Sequence, residues 1–202
     1  MPRVILVCGH TTHVDFVEGV DYIGVDHGAY VCARQNIPMI EAIGDFDSVT
    51  QEEFACIQKK AKTVEKLSTH KDETDTESAI LYALDKGYDD ILLYGGLGGR
   101  IDHEMANLYL LMHRDYPITL VDDHNRVRVF HKGMHRCKKV YTYFSFLPLE
   151  DCIISLDGFA YPLDHRKLTP SDICTISNEI VADEACVHVH EGRILVMESN
   201  DD

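Results

Sequence analysis

The feature that most constrains the fold of this chain is a change in its secondary-structure signals near residue 124. Before that point, short apolar runs alternate with stretches whose apolar residues recur at helical spacing. This alternation predicts a mostly parallel sheet with helices on both faces, because parallel strands need long crossover connections. After that point, short runs rich in Val, Ile, Tyr and Phe follow one another, separated by turn residues.

The change divides the 202 residues into two predicted domains. Residues 1–124 are expected to form an α/β domain with a Rossmann-like, three-layer arrangement. Residues 125–202 are expected to form an all-β domain, a small sandwich or barrel. The runs that predict strands in this second part are 127–130, 141–146, 152–156, 173–176, 187–189 and 194–197.

Composition narrows the possible partners and the cellular compartment. A formal net charge of −15 disfavours binding to nucleic acid or to an anionic membrane, and it favours a cationic small molecule. The seven cysteines are widely spaced, odd in number and without a Cys-x-x-Cys pair, which favours reduced thiols in the cytoplasm. No apolar run approaches the roughly 18 residues of a membrane span. The N-terminus is typical of a first strand rather than of a signal peptide.

The first motif with chemical content is residues 44–48, Gly-Asp-Phe-Asp-Ser, which follows the predicted strand 39–43. Asp45 and Asp47 point the same way if the extended conformation continues through them. Neighbouring carboxylates repel each other unless a cation lies between them, and oxygen ligands suit Mg²⁺. The alternative is an ordinary strand-to-helix turn, with Thr50 and Glu53 forming a capping box for the next helix.

A second acidic group lies in residues 71–77, Lys-Asp-Glu-Thr-Asp-Thr-Glu. Asp72 and Asp75 share a face if this segment is helical. The alternative is that these acids complement the dipole of a first turn, with Thr74 and Glu77 as a capping box. Because both acidic groups follow predicted strands, we expect them at the same edge of the sheet.

A third motif, residues 95–103, places four glycines, Arg100, Asp102 and His103 between a predicted strand and a predicted helix. Glycines allow close approach of backbone to a ligand, and the helix N-terminus together with Arg100 favours phosphate. The alternative is that Asp102 caps the helix and His103 is merely exposed. The twelve histidines show no zinc-binding spacing, and His188 with His190 is interpreted as one polar face of a strand.

Taken in order, residues 26–29, 44–48, 71–75 and 98–103 resemble the motifs of the thiamine pyrophosphokinase family. Residues 158–163 and 176–179 resemble the C-terminal β-domain of that family, so the similarity spans nearly the whole chain. One departure is His27, which stands where the family usually has a second glycine. The chain also has no tryptophan, so any aromatic stacking on thiamine must use another residue.

The resemblance implies a homodimer with sites at the subunit interface, a β-sandwich second domain, and the reaction ATP + thiamine → thiamine diphosphate + AMP with Mg²⁺. It implies that magnesium is held by Asp45, Asp47 and Asp75, and the nucleotide by Asp26, Gly96, Gly98, Gly99, Arg100 and His103. The residues expected to act in catalysis are Asp72, which would orient or deprotonate the hydroxyl of thiamine, Asp75 and Asp102. Those expected to contact the thiamine pyrimidine are Ser177 and Asn178.

Two other functions are compatible with the same residues. Paired carboxylates also activate water, so a metal-dependent phosphohydrolase is one alternative. A non-catalytic sensor of thiamine or nucleotide on the same scaffold is the other, although the presence of all the acidic motifs disfavours it.

Overall fold

The computed structural model describes residues 2–68 and 71–201. The chain forms two compact units, Met1–Asp122 and Asp123–Asp202. In the described parts of the chain, no helix has both the length and the apolar character that a membrane span requires.

The described residues of the first unit contain strands and helices in alternation. They are β1 (Arg3–Val7), β2 (Asp21–Val25), α1 (His27–Arg34), β3 (Met39–Gly44), α2 (Gln51–Lys60), β4 (Ala61–Lys66), α3 (Asp75–Asp85), β5 (Asp90–Tyr94), α4 (Ile101–His113) and β6 (Ile118–Val121). The strands pair in parallel in the order β4-β3-β2-β1-β5-β6. The predicted α/β architecture is therefore confirmed.

Burial explains why the central strands are almost continuously apolar. Residues 4–7 of β1 are all buried, as expected of a parallel strand covered on both faces. Ile5 and Val7 belong to one core cluster together with residues of α1 and with Ile57 of α2. Helix α2 begins with the predicted capping box: the Thr50 hydroxyl accepts from the Glu53 N–H, and the Glu53 carboxylate accepts from the Thr50 N–H.

The strand order positions a ligand site. Strand β1 lies between β2 and β5. The chain adds β2, β3 and β4 on one side of β1 and then crosses back to add β5 and β6 on the other side. In doubly wound sheets such a reversal opens a crevice at the carboxyl ends of the strands. The loops that follow β1, β2, β3 and β5 all start from this edge.

The second unit is all-β, as predicted, and its strands pair antiparallel. They are β7 (Asn125–Phe130), β8 (Gly133–Cys137), β9 (Tyr143–Pro148), β10 (Cys152–Asp157), β11 (Leu163–Leu168), β12 (Ala185–Glu191) and β13 (Ile194–Ser199). Strands β7, β13 and β9 pair side by side in that order, and strands β11-β10-β12-β8 form a second sheet. Both sheets contribute to one buried cluster, in which the Phe159 ring packs edge-on against Phe144 and Phe146. This arrangement is the predicted sandwich.

The strand predicted at 173–176 is wrong. This segment forms turns beside β9, fixed by the Phe146 N–H, which donates to the Thr175 carbonyl, and it leaves Ile173 and Ile176 exposed. The apolar run therefore does not indicate a buried strand face. Conversely, β8 and β11 were not predicted, because few of their residues are apolar and β11 lies at an edge with polar side chains in solvent.

One ion cluster lies inside the second unit. Glu198 of β13 is fully buried, on the same side of its strand as Val196. Its carboxylate pairs with the Arg126 guanidinium and lies 2.6 Å from the Arg128 Nη2 atom, both on the neighbouring strand β7. Two cations thus neutralise one buried anion, which is the condition for burying a carboxylate at low cost.

Candidate active site

A cleft of about 690 Å³ lies at the carboxyl edge of the parallel sheet. Eight of the residues predicted to bind metal or nucleotide line it: Asp26, Asp45, Asp47, Asp75, Gly96, Gly98, Arg100 and His103. Three further predicted residues of this unit, Asp72, Gly99 and Asp102, are exposed and lie outside this lining.

An acidic cluster forms one wall of the cleft. Asp26 follows β2, Asp45 follows β3, and Asp75 begins α3; one carboxylate oxygen of each lies within 4.8 Å of the others. Asp26, which the resemblance assigns to the nucleotide, is therefore placed among the carboxylates. Asp47 is exposed, and its N–H donates to Asp45 Oδ1 at 3.0 Å.

The charges in this cluster are not balanced within it. Burial, and then the hydrogen bond and negative charge of Asp75, raise the pKa of Asp26 to about 7, although the Phe46 N–H donates to Asp26 Oδ1 and opposes the shift. A divalent cation would favour the charged form of all three carboxyl groups. Their oxygen-only donor set fits a hard ion such as Mg²⁺.

Backbone conformation holds Asp26 in this position. Asp26 has φ 48° and Phe46 has φ 58°, both in the left-handed region that non-glycine residues seldom adopt. A Cβ atom on Gly44 would lie 1.9 Å from Asp26 Oδ1. Glycine at position 44 is thus required by the close approach of the Asp26 carboxylate.

Lys71 supplies a cation to the cluster, a role that was not predicted. Its Nζ atom pairs with Asp75 and lies 2.9 Å from the Ser78 Oγ atom, with the lysine and the aspartate each about one-fifth exposed. Among the described residues, none of the three clustered aspartates makes another ion pair. The motif of residues 71–77 therefore contributes both an anion and its counter-charge.

The glycine-rich loop forms the opposite wall, and two unpredicted residues shape it. The buried Asn107 side chain donates from Nδ2 to the Gly96 carbonyl at 2.9 Å. The His10 ring packs so closely on Gly99 that a Cβ atom there would lie 2.5 Å from His10 Nδ1. Asn107 could have been noticed as a polar residue among the regularly spaced apolar residues of α4. No pattern in the sequence indicated His10.

Arg100 and Asp102 form a paired unit at the start of α4. The Arg100 Nε and Nη2 atoms donate to the two Asp102 carboxylate oxygens at 3.1 and 2.6 Å. This contact lowers the pKa of Asp102 and raises that of Arg100. Asp102 is therefore suited to fixing the guanidinium rather than to carrying a proton.

The departure at His27 is accommodated by the backbone. His27 is the first residue of α1 and is not among the residues with positive φ, so this position does not require glycine. Its ring packs edge-on against Tyr30, with 5.7 Å between centroids, and it lines the cleft.

The residues predicted to contact thiamine lie in the second unit. Ser177 is exposed and has φ 57°, whereas Asn178 is buried. The Asn178 side chain accepts from the Tyr161 N–H at 3.0 Å and donates to the Tyr161 carbonyl at 2.9 Å. Asn178 thus fixes the loop that carries the exposed Tyr161 ring.

Both units match models of known domains. Residues 20–120 match the model described as thiamin pyrophosphokinase, catalytic domain, and residues 133–194 match thiamin pyrophosphokinase, vitamin B1 binding domain. The chain is 34% identical to the thiamine pyrophosphokinase of Bacillus subtilis strain 168 over 187 residues, covering 89% of this chain and 87% of the relative.

Solved structures give the same similarity. The crystal structure of thiamine pyrophosphokinase from Bacillus subtilis superposes with a TM-score of 0.89 at 31% identity, covering 99% of this chain and all of that one. Thiamin pyrophosphokinase from Candida albicans superposes with a TM-score of 0.80 at 16% identity, over 98% of this chain and 89% of that one. At that identity the second match concerns the fold alone.

Proposed function

We propose a division of roles among the site residues, starting from the fact that the chain belongs to the thiamin pyrophosphokinase family. It transfers pyrophosphate from ATP to the hydroxyl of thiamine, giving thiamine diphosphate and AMP. The observation that carries the assignment of the site is the group of three carboxylates facing a Gly-Arg loop across one cleft.

We propose that Asp26, Asp45 and Asp75 hold Mg²⁺, with Asp47 beside them on the rim of the cleft. The support is their shared hard-donor chemistry and the raised pKa of Asp26, which burial causes first and the hydrogen bond and negative charge of Asp75 increase further. When bound, the ion neutralises negative charge on the triphosphate. This is what a protein of net charge −15 needs in order to accept ATP.

The nucleotide is proposed to lie along the glycine-rich loop. Glycines 96, 98 and 99 let phosphate oxygens approach the backbone, and Arg100 offers forked donors that Asp102 keeps oriented. His103 lines the same wall and is proposed to contact the nucleotide. Asn107 and His10 act on the shape of the loop rather than on the nucleotide.

In the transfer step, the hydroxyl oxygen of thiamine forms a bond to the β-phosphorus of ATP. The bond from that phosphorus to the oxygen bridging the α- and β-phosphates breaks, and AMP leaves with the bonding electrons. Asp72, exposed just before α3, is proposed to take the proton of the hydroxyl. Asp75 is proposed to act through the ion that it holds, and Asp102 through the orientation of Arg100. Most of the rate then comes from positioning and charge neutralisation.

Thiamine is proposed to bind at the Ser177 segment of the second unit. Ser177 is free to contact the pyrimidine, and Asn178 positions that segment through the backbone of Tyr161. Tyr161, which is 71% exposed, offers an aromatic face in a chain without tryptophan.

A homodimer with sites at the subunit interface is proposed from exposed apolar side chains. Ile101, Met105 and Tyr109 recur at four-residue spacing on α4, so they lie on one helix face, and each is at least 43% exposed. The second unit exposes Ile173 and Ile176 beside Ser177. Light scattering coupled to size-exclusion chromatography should give twice the mass of 22.9 kDa.

A cytoplasmic location is proposed from seven cysteines that are all free thiols.

The activity is tested by measuring AMP formed from magnesium-ATP with and without thiamine, and by mass spectrometry of the product. We expect AMP to appear only with thiamine and in equal amount with thiamine diphosphate. Inorganic phosphate released without thiamine would indicate a phosphohydrolase instead. Thiamine binding without AMP would indicate a sensor.

A further inference from the structure

A buried carboxylate of the first unit has no part in the roles proposed above. Glu41 of β3 is 4% exposed, and its Oε2 atom accepts a hydrogen bond from the Tyr82 hydroxyl of α3 at 2.8 Å. The same oxygen lies 2.5 Å from the Thr63 Oγ1 atom on the neighbouring strand β4. Glu41 makes no ion pair with any described residue. Because a carboxylate is costly to bury without a cation, these two hydroxyl groups are what stabilises Glu41 in the interior.

Tyr82 is fixed as the donor of this hydrogen bond. Burial, and then the hydrogen bond and negative charge of Glu41, raise the pKa of Tyr82 to about 12, so the hydroxyl keeps its proton at neutral pH. The Lys86 Nζ atom lies 5.0 Å from the centroid of the Tyr82 ring and restrains its other side. Hydrogen bonds to an ionised acceptor are stronger than those between neutral groups. Among the described residues, no other side-chain hydrogen bond joins α3 to β3.

The hydrogen bond joins the two elements that carry Asp45 and Asp75. Asp45 follows Glu41 by four residues along β3, about 13 Å toward the cleft. Asp75 begins α3, and Tyr82 follows it by seven residues, nearly two full turns and about 10 Å along the axis. Asp75 and Tyr82 therefore lie on one face of the helix. The strand and the helix thus approach each other at two places, at the carboxylates of the cleft and at the hydrogen bond beneath them.

The two places have opposite electrostatics. At the cleft, Asp45 and Asp75 offer carboxylate oxygens within 4.8 Å of each other, and like charges at this distance tend to separate the helix from the strand. Beneath the cleft, the Glu41–Tyr82 hydrogen bond holds the same two elements together. The separation of the two aspartates therefore depends on a contact that neither of them makes.

We propose that the Glu41–Tyr82 hydrogen bond is a positioning contact that sets the separation of Asp45 and Asp75 and thereby the affinity of the site for Mg²⁺. The inference rests on the proposed role of these aspartates as magnesium ligands. Contacts outside the ligand set tune metal affinity by orienting the ligands. Glu41 and Tyr82 do so through the strand and the helix that carry the aspartates, and they do not contact the ion.

The test is calorimetric titration of the full-length protein with Mg²⁺ in the absence of nucleotide. We expect the affinity to fall by about three- to tenfold in Tyr82→Phe, less than the 10–100-fold that follows loss of a direct partner of a ligand. The matched control is Tyr88→Phe, which removes a tyrosine–carboxylate hydrogen bond of 2.5 Å to Asp21 at the amino end of β2, away from the cleft. The control should bind Mg²⁺ as the wild type does. Equal losses in the two variants would overturn the proposal, because the effect would then be a general loosening of the fold.

Turnover gives a second readout that a purely structural contact would not change in the same way. In Tyr82→Phe, the Mg²⁺ concentration for half-maximal thiamine-dependent AMP formation should rise by the factor seen in calorimetry. At saturating Mg²⁺, kcat should stay within about twofold of wild type, because the bound ion restores the arrangement of its ligands. A lower kcat with an unchanged Mg²⁺ requirement would mean that Tyr82 only stabilises the fold, and it would overturn the proposal.

A pair of substitutions at Glu41 separates the hydrogen bond from the rest of the side chain. Glu41→Gln keeps an oxygen acceptor for the Tyr82 hydroxyl and should bind Mg²⁺ nearly as the wild type does. Glu41→Leu removes the acceptor at similar volume and should lose as much affinity as Tyr82→Phe. The double variant Glu41→Leu/Tyr82→Phe should lose no more than either single variant, because both remove the same contact. Circular dichroism should show the wild-type fold in each, and additive losses would contradict the proposal.

Asp45→Asn distinguishes failure of this inference from failure of the proposed metal site. If Asp45→Asn weakens Mg²⁺ binding and a folded Tyr82→Phe does not, the carboxylates hold the ion and the hydrogen bond does not position them. If Asp45→Asn itself binds Mg²⁺ as the wild type does, the metal site is wrongly placed and the positioning role fails with it. Weaker binding in both, with the larger loss in Asp45→Asn, is the expected result.

Discussion

Each of the two units contains a cluster of carboxylates and cations, and the two clusters have opposite charge balance. In the second unit, one fully buried anion, Glu198, meets two guanidinium groups on the next strand. In the first unit, three carboxylates lie close to one another. Among the described residues, the ion pair of this cluster joins Asp75 to the ammonium of Lys71. The first arrangement is neutralised by the fold itself, whereas the second leaves negative charge for something else to neutralise.

This difference separates a structural ion cluster from a binding site more reliably than burial does. Both clusters include partly or fully buried charged groups, so burial alone does not distinguish them. The unbalanced cluster also has strained backbone at Asp26 and Phe46, and Glu198 lies on a regular strand. Strained backbone and unbalanced charge are found where a bound ligand can offset their energetic cost. Regular backbone and balanced charge are found where the contact only stabilises the fold.

The largest expected effect is on turnover when the acidic cluster loses one charge. Asp45→Asn keeps the size of the side chain but replaces a charged carboxylate ligand with a neutral amide. We expect kcat to fall by about 10²–10³-fold, the usual result of removing one preorganised electrostatic group. Thiamine-dependent AMP formation measures kcat, and calorimetry measures the accompanying loss of Mg²⁺ affinity.

Asp85→Asn is the matched control for that change. Asp85 ends α3, the helix that Asp75 begins, and its side chain is 81% exposed. It should keep wild-type turnover and Mg²⁺ affinity. Near-normal turnover of Asp45→Asn at low Mg²⁺ would mean that the carboxylates do not hold the ion.

The next effect is on stability in the second unit. Glu198→Ala leaves two guanidinium groups without their anion, and these are each 28% exposed, so part of the cost is relieved by water. We expect the free energy of unfolding to fall by about 3 kcal/mol, at the low end for breaking a buried pair. Urea unfolding followed by circular dichroism measures it. Glu150→Ala, which breaks an exposed pair with Arg193, should cost less than about 1 kcal/mol.

A smaller effect concerns the pH dependence of stability in the absence of metal. The pKa of Asp26 is 3.8 when unperturbed and about 7 in the fold, so between these values the folded state binds the extra proton. Stability therefore falls as pH rises through this window. We expect wild type in chelator to lose about 2 kcal/mol more than Asp26→Asn over that range, after allowance for solvent at the site.

Magnesium provides the check on this pH effect. With saturating Mg²⁺, Asp26 should be ionised throughout the window and the fall in stability should disappear from the wild type. A chelator-treated wild type whose stability follows that of Asp26→Asn at every pH would show that burial and Asp75 do not raise the pKa of Asp26 in the folded protein.

The sequence was sufficient for the parts of the fold that follow from periodicity. Apolar runs located β1 and β5, and Thr50 and Glu53 located the start of α2, because these signals are local. The strand predicted at 173–176 failed because Ile173 and Ile176 face solvent. Apolar character alone did not reveal which face was covered.

The candidate site also has a part that the sequence predicted and a part that it did not. The acidic and glycine motifs were visible as sequence patterns, since each lies at a strand end. The inclusion of Asp26 in the carboxylate group depends on the neighbouring strands β2 and β3, and the packing of His10 on Gly99 depends on the neighbours β1 and β5. Such contacts join residues about 20 and 90 positions apart, which spacing rules cannot register.

The smallest expected effect concerns Lys71, whose ammonium is paired with Asp75 of the acidic cluster. If its ammonium occupies part of the space and charge that Mg²⁺ requires, Lys71→Met should strengthen Mg²⁺ binding, because the ion no longer displaces a partner of Asp75. The gain should be below about fivefold, since partly exposed ion pairs contribute no more than about 1 kcal/mol. Calorimetry in the absence of nucleotide measures it, with Lys86→Met, exposed at the end of α3, as the control. Weaker Mg²⁺ binding in Lys71→Met would instead mean that Lys71 holds Asp75 in position for the ion, and the imbalance between the two units would then be smaller than the ion pairs suggest.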